Sequence, residues 1–540
     1  ALLKAQCDLL WFGGIGTYVK SSHESHGDAG DKANDAIRVN GNDLACKVIG
    51  EGANLGLTQR GRIEAAQSGV RLNTDAIDNS AGVDSSDHEV NIKILLNGLV
   101  RAGTMDGPGR DALLAQMTDD VARHVLAHNY TQTLTISLQE AKAVADLDAH
   151  ARLIDQLEAS GRLDRKLEFL PDAVAIAARR AAGQGLTRPE LSVLTAYCKL
   201  SLFDELIGSD APDDAWFEAV LIHYFPDGCK PFAPAMAKHR LRREIIATVL
   251  SNQMIDLCGV LFLDRVREST RAHAGDIAKA FAAARAIFGL EDLVGAIHAL
   301  DAKPVAQGQH KALHLLGDLL VHQCAWLIRN CLNGEAGLSV GDMVARYQPA
   351  ATALSAAIYD CLTPHQKQAC LADADILVQL GLPLALAKHV AALPRLQSAT
   401  DIADIAAAKA LKVEDVARLY HGLGARIGLD DVRGAAGQLS VSQHWDKVAL
   451  ARLQIDLQAE HSILAASACD LARTQAQALC DLSESKWAKA VLDIWCNNHQ
   501  AAIATTRNII AELQSSPESW TFPKLSIATT QLKQLTTSAA

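Results

Sequence analysis

Aromatic side chains are scarce in this chain, 4% of its residues, although hydrophobic residues of all kinds reach 49%. A core of that make-up is built from Ala, Leu, Ile and Val on helices, so an α-rich chain is expected. Positive charge is not in excess: 62 acidic against 51 basic side chains leave a formal charge of −11. Such a molecule repels a phosphate backbone, and nucleic acid is not an expected partner. CxxC pairs are absent. The 12 Cys are scattered at irregular spacing, the usage of a reduced, intracellular protein, so neither a disulfide framework nor a zinc site is expected. Long apolar runs are missing as well. The most apolar stretch, Ile376 to Leu393, is interrupted by Gln379, Gly381, Pro383, Lys388 and His389. It falls short of the roughly 20 apolar residues of a membrane helix and reads as a buried helical hairpin, with no membrane partner.

A length of 540 residues exceeds what one hydrophobic core organises, so two to four domains are expected. The chain opens at Ala1 with residues that already read like the interior of a domain, and a preceding segment is expected. Residues 1–97 differ in texture from the rest. Cys7 to Phe12 is a short apolar run stopped by Gly13, Gly14 and Gly16; Cys46 to Ile49 is another, stopped by Gly50 and Gly52; Arg71 to Thr74 is a third candidate strand. Short apolar segments ending at glycine, with helical stretches between them, are the pattern of an α/β sheet. Thr58 reads as the N-cap of the helical stretch between the second and third segments. The spacing of Gly50, Gly52 and Gly56 misses GxGxxG by one place.

From Ser86 onward the texture turns helical. Ser86 with Glu89 reads as a capping box ahead of Ile92, Leu95, Leu96 and Leu99, and Thr187 with Glu190 repeats the device, with Pro189 in the first turn. Leu191, Leu194 and Cys198 mark one helical face, and Leu241, Ile245 and Val249 another. A further long helical pattern runs from about Trp445 to Gln514. The expected organisation is an α/β segment, a partial Rossmann-like dinucleotide-binding domain, over 1–97, then an all-α region over 98–540 with a sub-boundary near 301–310.

The informative block runs from Val48 to Lys93. It holds Glu51-Gly52-Ala53-Asn54 and, later, Asn79-Ser80-Ala81-Gly82-Val83-Asp84-Ser85-Ser86. These resemble the two strand-end motifs of the glutamate dehydrogenase family, EGAN and N-A-G-G-V-x-x-S, with Ser80 and Ala81 as departures in the second. The stretches Asp8 to Lys20, Asn34 to Gly41, Gly185 to Leu200 and His239 to Asp256 are similar to the large NAD-specific branch found in bacteria.

That resemblance implies oxidative deamination of L-glutamate to 2-oxoglutarate and ammonium with NAD as cofactor, in a cytoplasmic homo-oligomer. It places Gly52, Ala53, Asn54, Asn79 and Gly82 at the cofactor, and Val83 and Ser86 at the substrate. Asn amides supply both donor and acceptor for a ribose or a carboxamide, and a hydroxyl at Ser86 suits the glutamate side-chain carboxylate. The family's catalytic lysines have no counterpart motif here and are expected upstream, so the segment alone is expected to be inactive. The helical region is expected to serve assembly or allosteric control. His23 and His26, beside Glu24 and Asp28, sit in a polar Gly-interrupted stretch that reads as solvated loop, and no metal is expected. Two other classes stay open: a related amino-acid dehydrogenase with another substrate, and a noncatalytic helical scaffold.

Overall fold

The computed structural model describes residues 1–301, 306–333, 337–439, 441, 444–474, 484–515 and 520–539. The chain divides into two compact units: residues 1–264 with 273–278, and residues 265–272 with 279–540. Helices dominate both, and the described strands are few, short and parallel.

In the first unit, β1 (Leu9–Phe12) pairs in parallel with β4 (Val48–Glu51), and β2 (Val19–Lys20) with β3 (Val39–Asn40). β1 and β4 each start two residues inside the apolar run that marks them. The third expected strand contributes a single bridge, Arg71 to Val48, because Asn73 and Thr74 turn into the next helix. Phe12, Val19, Ile49, Leu57, Ala65 and Leu72 form the small core beneath these strands.

Helix α1 (Gln59–Gln67) begins at the expected Thr58, whose hydroxyl accepts from Gly61 N at 3.0 Å. A short α2 (Asp75–Asp78) leads directly into α3 (Ser80–Arg101). Helix α3 corrects the expected capping box: it starts six residues before Ser86, and Ser86 lies in its second turn, donating to Val83 O at 2.7 Å. The upstream start is held from outside, since Asn129 Nδ2 donates to Ile77 O at 2.8 Å and to Ser80 Oγ at 2.9 Å. The boundary expected at residue 97 lies inside α3, whose buried Ile92, Leu95, Leu96 and Leu99 belong to the same compact unit as the strands.

The unit continues through α4 (Gly107–Gln116), α5 (Thr118–Lys142), α6 (Leu147–Ala159) and α7 (Ala173–Ala181). It then adds α8 (Arg188–Ile207), α9 (Glu218–Tyr224), α10 (Ala233–Met236) and α11 (Arg242–Cys258). At α8 the expected cap stands: Thr187 N donates to Glu190 Oε2 at 2.7 Å, and Arg179 grips both oxygens of the same carboxylate at 2.7 Å. Leu191, Leu194 and Cys198 are buried as the pattern required. On α11 the buried stripe is Ile246, Leu250 and Met254, joined by Ile245; Leu241 is the N-cap and Val249 is half-buried. The basic residues at its head are structural: Arg242 and Arg243 pair with Asp213, and Arg243 Nη2 donates to Ile207 O and Ser209 O at the end of α8.

All secondary-structure elements described in the second unit are helices. The apolar stretch forms a helical pair, Pro364–Gln379 and Leu384–Ala392, turned at Gly381 with φ +97°. It is less buried than expected, because Ile376, Val378 and Leu384 face outward. The long pattern after Trp445 resolves into His444–Thr474, Glu484–Asn498 and Gln500–Ser515. Tyr347, Tyr420 and Trp495 are among the large buried side chains of this unit, and His461 Nε2 bonds Tyr420 O at 2.7 Å. Of the sub-boundary expected near 301–310, residues 302–305 lie outside the described residues, and the helix Ala306–Leu327 begins directly after them. Among the described residues no single helix is long and apolar enough to cross a membrane.

Two glycines in the first unit have opposite roles. A Cβ at Gly185 would sit 2.4 Å from the Ala143 carbonyl carbon, whereas one at Gly98, inside α3, would meet nothing within 4 Å. Gly185→Ala is therefore expected to destabilise by about 1–3 kcal/mol through forced backbone movement. Gly98→Ala is expected to stabilise by roughly 0.5–1 kcal/mol by removing helix-interior glycine entropy. Urea unfolding followed by circular dichroism would read both, and a destabilised Gly98→Ala would contradict the packing described.

Candidate functional site

The site is built at the tip of β4, where a buried ion pair sets the path of the following loop. Glu51 and Arg62 side chains are 1% and 5% exposed, and the guanidinium meets both carboxylate oxygens, Nε to Oε2 at 2.7 Å and Nη2 to Oε1 at 2.9 Å. Burial pushes the Glu51 carboxyl up from its ordinary value while the Arg62 hydrogen bonds oppose that shift. Arg62 also reaches Asp75 at 3.2 Å, and Asp75 in turn accepts from Leu55 N at 2.8 Å. Asp78 accepts from Glu51 N at 3.1 Å and from Asn73 Nδ2 at 2.8 Å. Burial raises the Asp78 carboxyl as well, with Asn73 and the Glu51 N–H pulling against it. Arg188, arriving from α8, donates to Asn73 Oδ1 at 2.9 Å.

Held this way, the loop turns outward at Asn54. Gly52 N and Ala53 N are both spent on Phe12 O, at 2.9 and 3.1 Å. The Trp11 indole lies against Gly50 and Gly52, where a Cβ would fall 2.5 and 2.4 Å from it. Leu55 then takes φ +63°, a left-handed conformation that a branched L-residue adopts only under constraint. Gly56 is closed in, since a Cβ there would meet Glu51 Oε1 at 3.1 Å and Phe12 Cβ at 3.2 Å.

Asn54 meets Asn79 at this outward turn. Asn79 Nδ2 donates to Asn54 Oδ1 at 3.1 Å, leaving Asn54 Nδ2 as donor and Asn79 Oδ1 as acceptor with no other hydrogen bond among the described residues. Asn79 is the N-cap residue of α3, and its side chain makes no cap hydrogen bond. Gly82, Val83 and Ser86 follow on α3 itself, in helix rather than in the expected loop. Positions 79, 83 and 86 recur at helical spacing and share one face, and Val83 is 67% exposed. So Asn54 and Asn79 come together directly. Val83 and Ser86 continue the surface along α3, while the Gly52 and Ala53 amides turn inward.

Sequence reasoning missed the residues that position this site. Arg62, Asp75, Asp78, Asn73 and Asn129 carry no local motif. Their partners are remote, 52 residues away for Asn129 with Ile77 and 115 for Asn73 with Arg188. Lys4, Lys20, Lys47 and Lys93 are all engaged elsewhere, with Asp43, Asn40, Asp8 and Glu89 respectively. His23 and His26 are not buried, and His26 lies 3.0 Å from Arg38 Nη1.

Short parallel strands lead into a long helix, and the Asn54–Asn79 amide pair is turned outward beyond the tip of β4. The comparisons with known proteins make this specific. Residues 1–139 match the family model for the catalytic domain of bacterial NAD-glutamate dehydrogenase, and residues 183–534 match the model for the glutamate dehydrogenase C-terminal region. The chain is 38% identical over 536 residues to an NAD-specific glutamate dehydrogenase of Halomonas elongata, covering 99% of this chain and 32% of that protein. It is 38% identical over 517 residues to the protein of that name from Pseudomonas aeruginosa, covering 96% of this chain and 31% of that one. It is 36% identical over 537 residues to the one from Mycobacterium tuberculosis, covering 99% and 32%. The chain belongs to the bacterial NAD-specific glutamate dehydrogenase family, and it spans about a third of the length of these relatives.

Breaking the Glu51–Arg62 pair from one side leaves an uncompensated buried charge. Glu51→Gln is expected to cost about 3–5 kcal/mol, and the double change Glu51→Met with Arg62→Leu distinctly less. Denaturant midpoints for the two variants check this; a Glu51→Gln protein as stable as the parent would show that the pair does not anchor the loop.

Proposed function

We propose that this segment forms the nicotinamide and glutamate side of the site in an NAD-dependent glutamate dehydrogenase, within the whole protein of which it spans a part. The observation that carries the reading is the Asn54–Asn79 amide pair at the β4 tip. Its uncommitted Nδ2 and Oδ1 form a donor and acceptor couple that fits the carboxamide of a nicotinamide ring. NAD, when bound, supplies the acceptor for the hydride that leaves the glutamate α-carbon.

The residues of this chain bind and orient. Asn54 and Asn79 hold the carboxamide, which fixes which face of the ring is presented. The Gly82 turn, bare of a side chain, allows close approach beside Asn79. Val83 and Ser86 present an apolar contact and a hydroxyl along the exposed face of α3. A hydroxyl there favours a substrate whose side chain ends in a carboxylate, since an apolar side chain would leave it unpaired on burial. Gly52 and Ala53 contribute through shape, because their N–H groups are held by Phe12.

On this reading residues 1–97 are the far half of a Rossmann-like cofactor domain. The short parallel pairing of β1 with β4 supports it, as does the family match over residues 1–139. The lysines that grip and activate substrate in such enzymes would be supplied by another part of the whole protein. Residues 98–540 would serve assembly or control.

Steady-state kinetics of the whole dehydrogenase test both roles. Asn79→Ala is expected to weaken NAD use at least about tenfold in kcat/KM, in keeping with loss of one or two hydrogen bonds to a positioned ring. Ser86→Ala is expected to lower kcat/KM for glutamate while leaving that for norvaline, which lacks the carboxylate, little changed. Unaltered NAD kinetics in Asn79→Ala would end the nicotinamide assignment, and equal losses on both amino acids in Ser86→Ala would end the substrate assignment.

A further inference from the structure

Helix α3 has a second polar feature, on the face turned into the protein. Asp84 and His88 lie one turn apart on it, and His128 approaches from α5. His128 Nδ1 lies 2.8 Å from Asp84 Oδ2, and His88 Nε2 lies 3.7 Å from Asp84 Oδ1. One ligand atom from each of the three lies within 4.8 Å of the other two. The His88 side chain is 0% exposed, and neither of its ring nitrogens has a hydrogen-bond partner. A buried imidazole ordinarily gives its N–H to a carbonyl or carboxylate, so an unpaired one aimed at a carboxylate is an unfilled polar position.

We propose that Asp84, His88 and His128 form a binding site for a divalent transition-metal ion of the zinc type, which would cross-link α3 to α5. Two ligands at i and i+4 on one helix and a third from a neighbouring helix is a spacing that puts three lone pairs on one point. Two neutral imidazoles and one carboxylate are a ligand set such ions accept, and three protein ligands leave a fourth position for water. Metal–ligand bonds near 2.0–2.1 Å put neighbouring ligand atoms on a tetrahedral ion about 3.3 Å apart. His128 faces Asp84 Oδ2 at 2.8 Å and His88 faces Oδ1 at 3.7 Å, so the carboxylate lies between the two rings with one oxygen toward each. Closure asks for a small movement at His128, whose side chain is 42% exposed and has room for it.

The surroundings fit. Tyr224 stacks on His88 with ring centroids 4.4 Å apart and planes 15° from parallel, which fixes the ring orientation. Asn91 Nδ2 holds the Tyr224 hydroxyl at 2.8 Å. Burial holds His88 well below its ordinary value, in the neutral form that keeps a lone pair available. The Asp84 carboxyl, despite its own burial, is drawn below its ordinary value by His128, and so is ionised near neutral pH. His124 brings a further imidazole close, its ring 5.6 Å from that of His88. No short sequence motif marks this cluster, because 40 positions separate His88 from its counterpart on α5.

The site is independent of the dehydrogenase reading, and its test needs no turnover. The full chain, tag-free and stripped with a chelator, is titrated with Co²⁺ and then Zn²⁺. The expected result is visible d–d absorption saturating at one Co²⁺ per chain, displaced by Zn²⁺, and a higher thermal midpoint with Zn²⁺. His128→Gln and Asp84→Asn, at partly exposed positions, should weaken Co²⁺ binding at least about tenfold while keeping the parent circular dichroism spectrum. His88→Phe should do the same while keeping the stack on Tyr224. Absence of the Co²⁺ bands at several-fold metal excess, or binding by His128→Gln and Asp84→Asn equal to the parent, overturns the proposal.

Discussion

A single buried carboxylate organises the tip of the strand layer. Glu51 ends β4, and its two oxygens engage Arg62 on α1 while one of them also accepts from Leu57 N at 3.3 Å. Its own N–H is held by Asp78, and Arg62 passes on to Asp75, which secures Leu55. Strand, loop, α1 and α2 are thus tied through one pair of charges. Desolvation of two ions offsets most of their attraction, so the pair adds little net stability over a hydrophobic replacement. What it supplies is direction: few loop paths satisfy all of those donors at once, and the one adopted forces Leu55 to positive φ and turns Asn54 out.

That division of labour explains how far the sequence can be read. The EGAN block stands out as a ligand loop, yet only Asn54 presents a side chain outward; Glu51 is buried and the Gly52 and Ala53 amides face Phe12. One short motif carries scaffold and site together, and composition cannot separate them. The start of α3 is misread for a related reason. Ser86 with Glu89 satisfies the local rule for a capping box, but local rules do not rank competing starts, and Asn129 fixes the earlier one from α5. By contrast the caps at Thr58 and Thr187 are legible because the capping bond itself joins residues three apart, Thr58 with Gly61 and Thr187 with Glu190.

Strand length follows the same logic. β1 and β4 have each other as neighbours and form where the apolar runs predict. Arg71 to Thr74 has the composition of a strand but only one bridge, since Asn73 is drawn to Asp78 and Arg188 instead of a ladder. Those bonds join side chains, and their partners come from α2 and α8, so the path of this segment is fixed by neighbours outside the sheet.

Helix α3 is consequently an element with two working faces. Asn79, Val83 and Ser86 follow one line along it; Asp84, His88 and Ile92 follow another, about half a turn away and packed inward. If stability alone decided the packed face, His88 would be a poor occupant. Leaving two buried ring nitrogens unpaired costs on the order of 1–3 kcal/mol, whereas a leucine of similar volume would stabilise by burial. A helix of 22 residues is stiff over the few ångströms between its faces. The buried imidazole and the Asn79 amide thus share one rigid element. The imidazole gains a rationale once the inner face is read as a ligand position and not as packing alone.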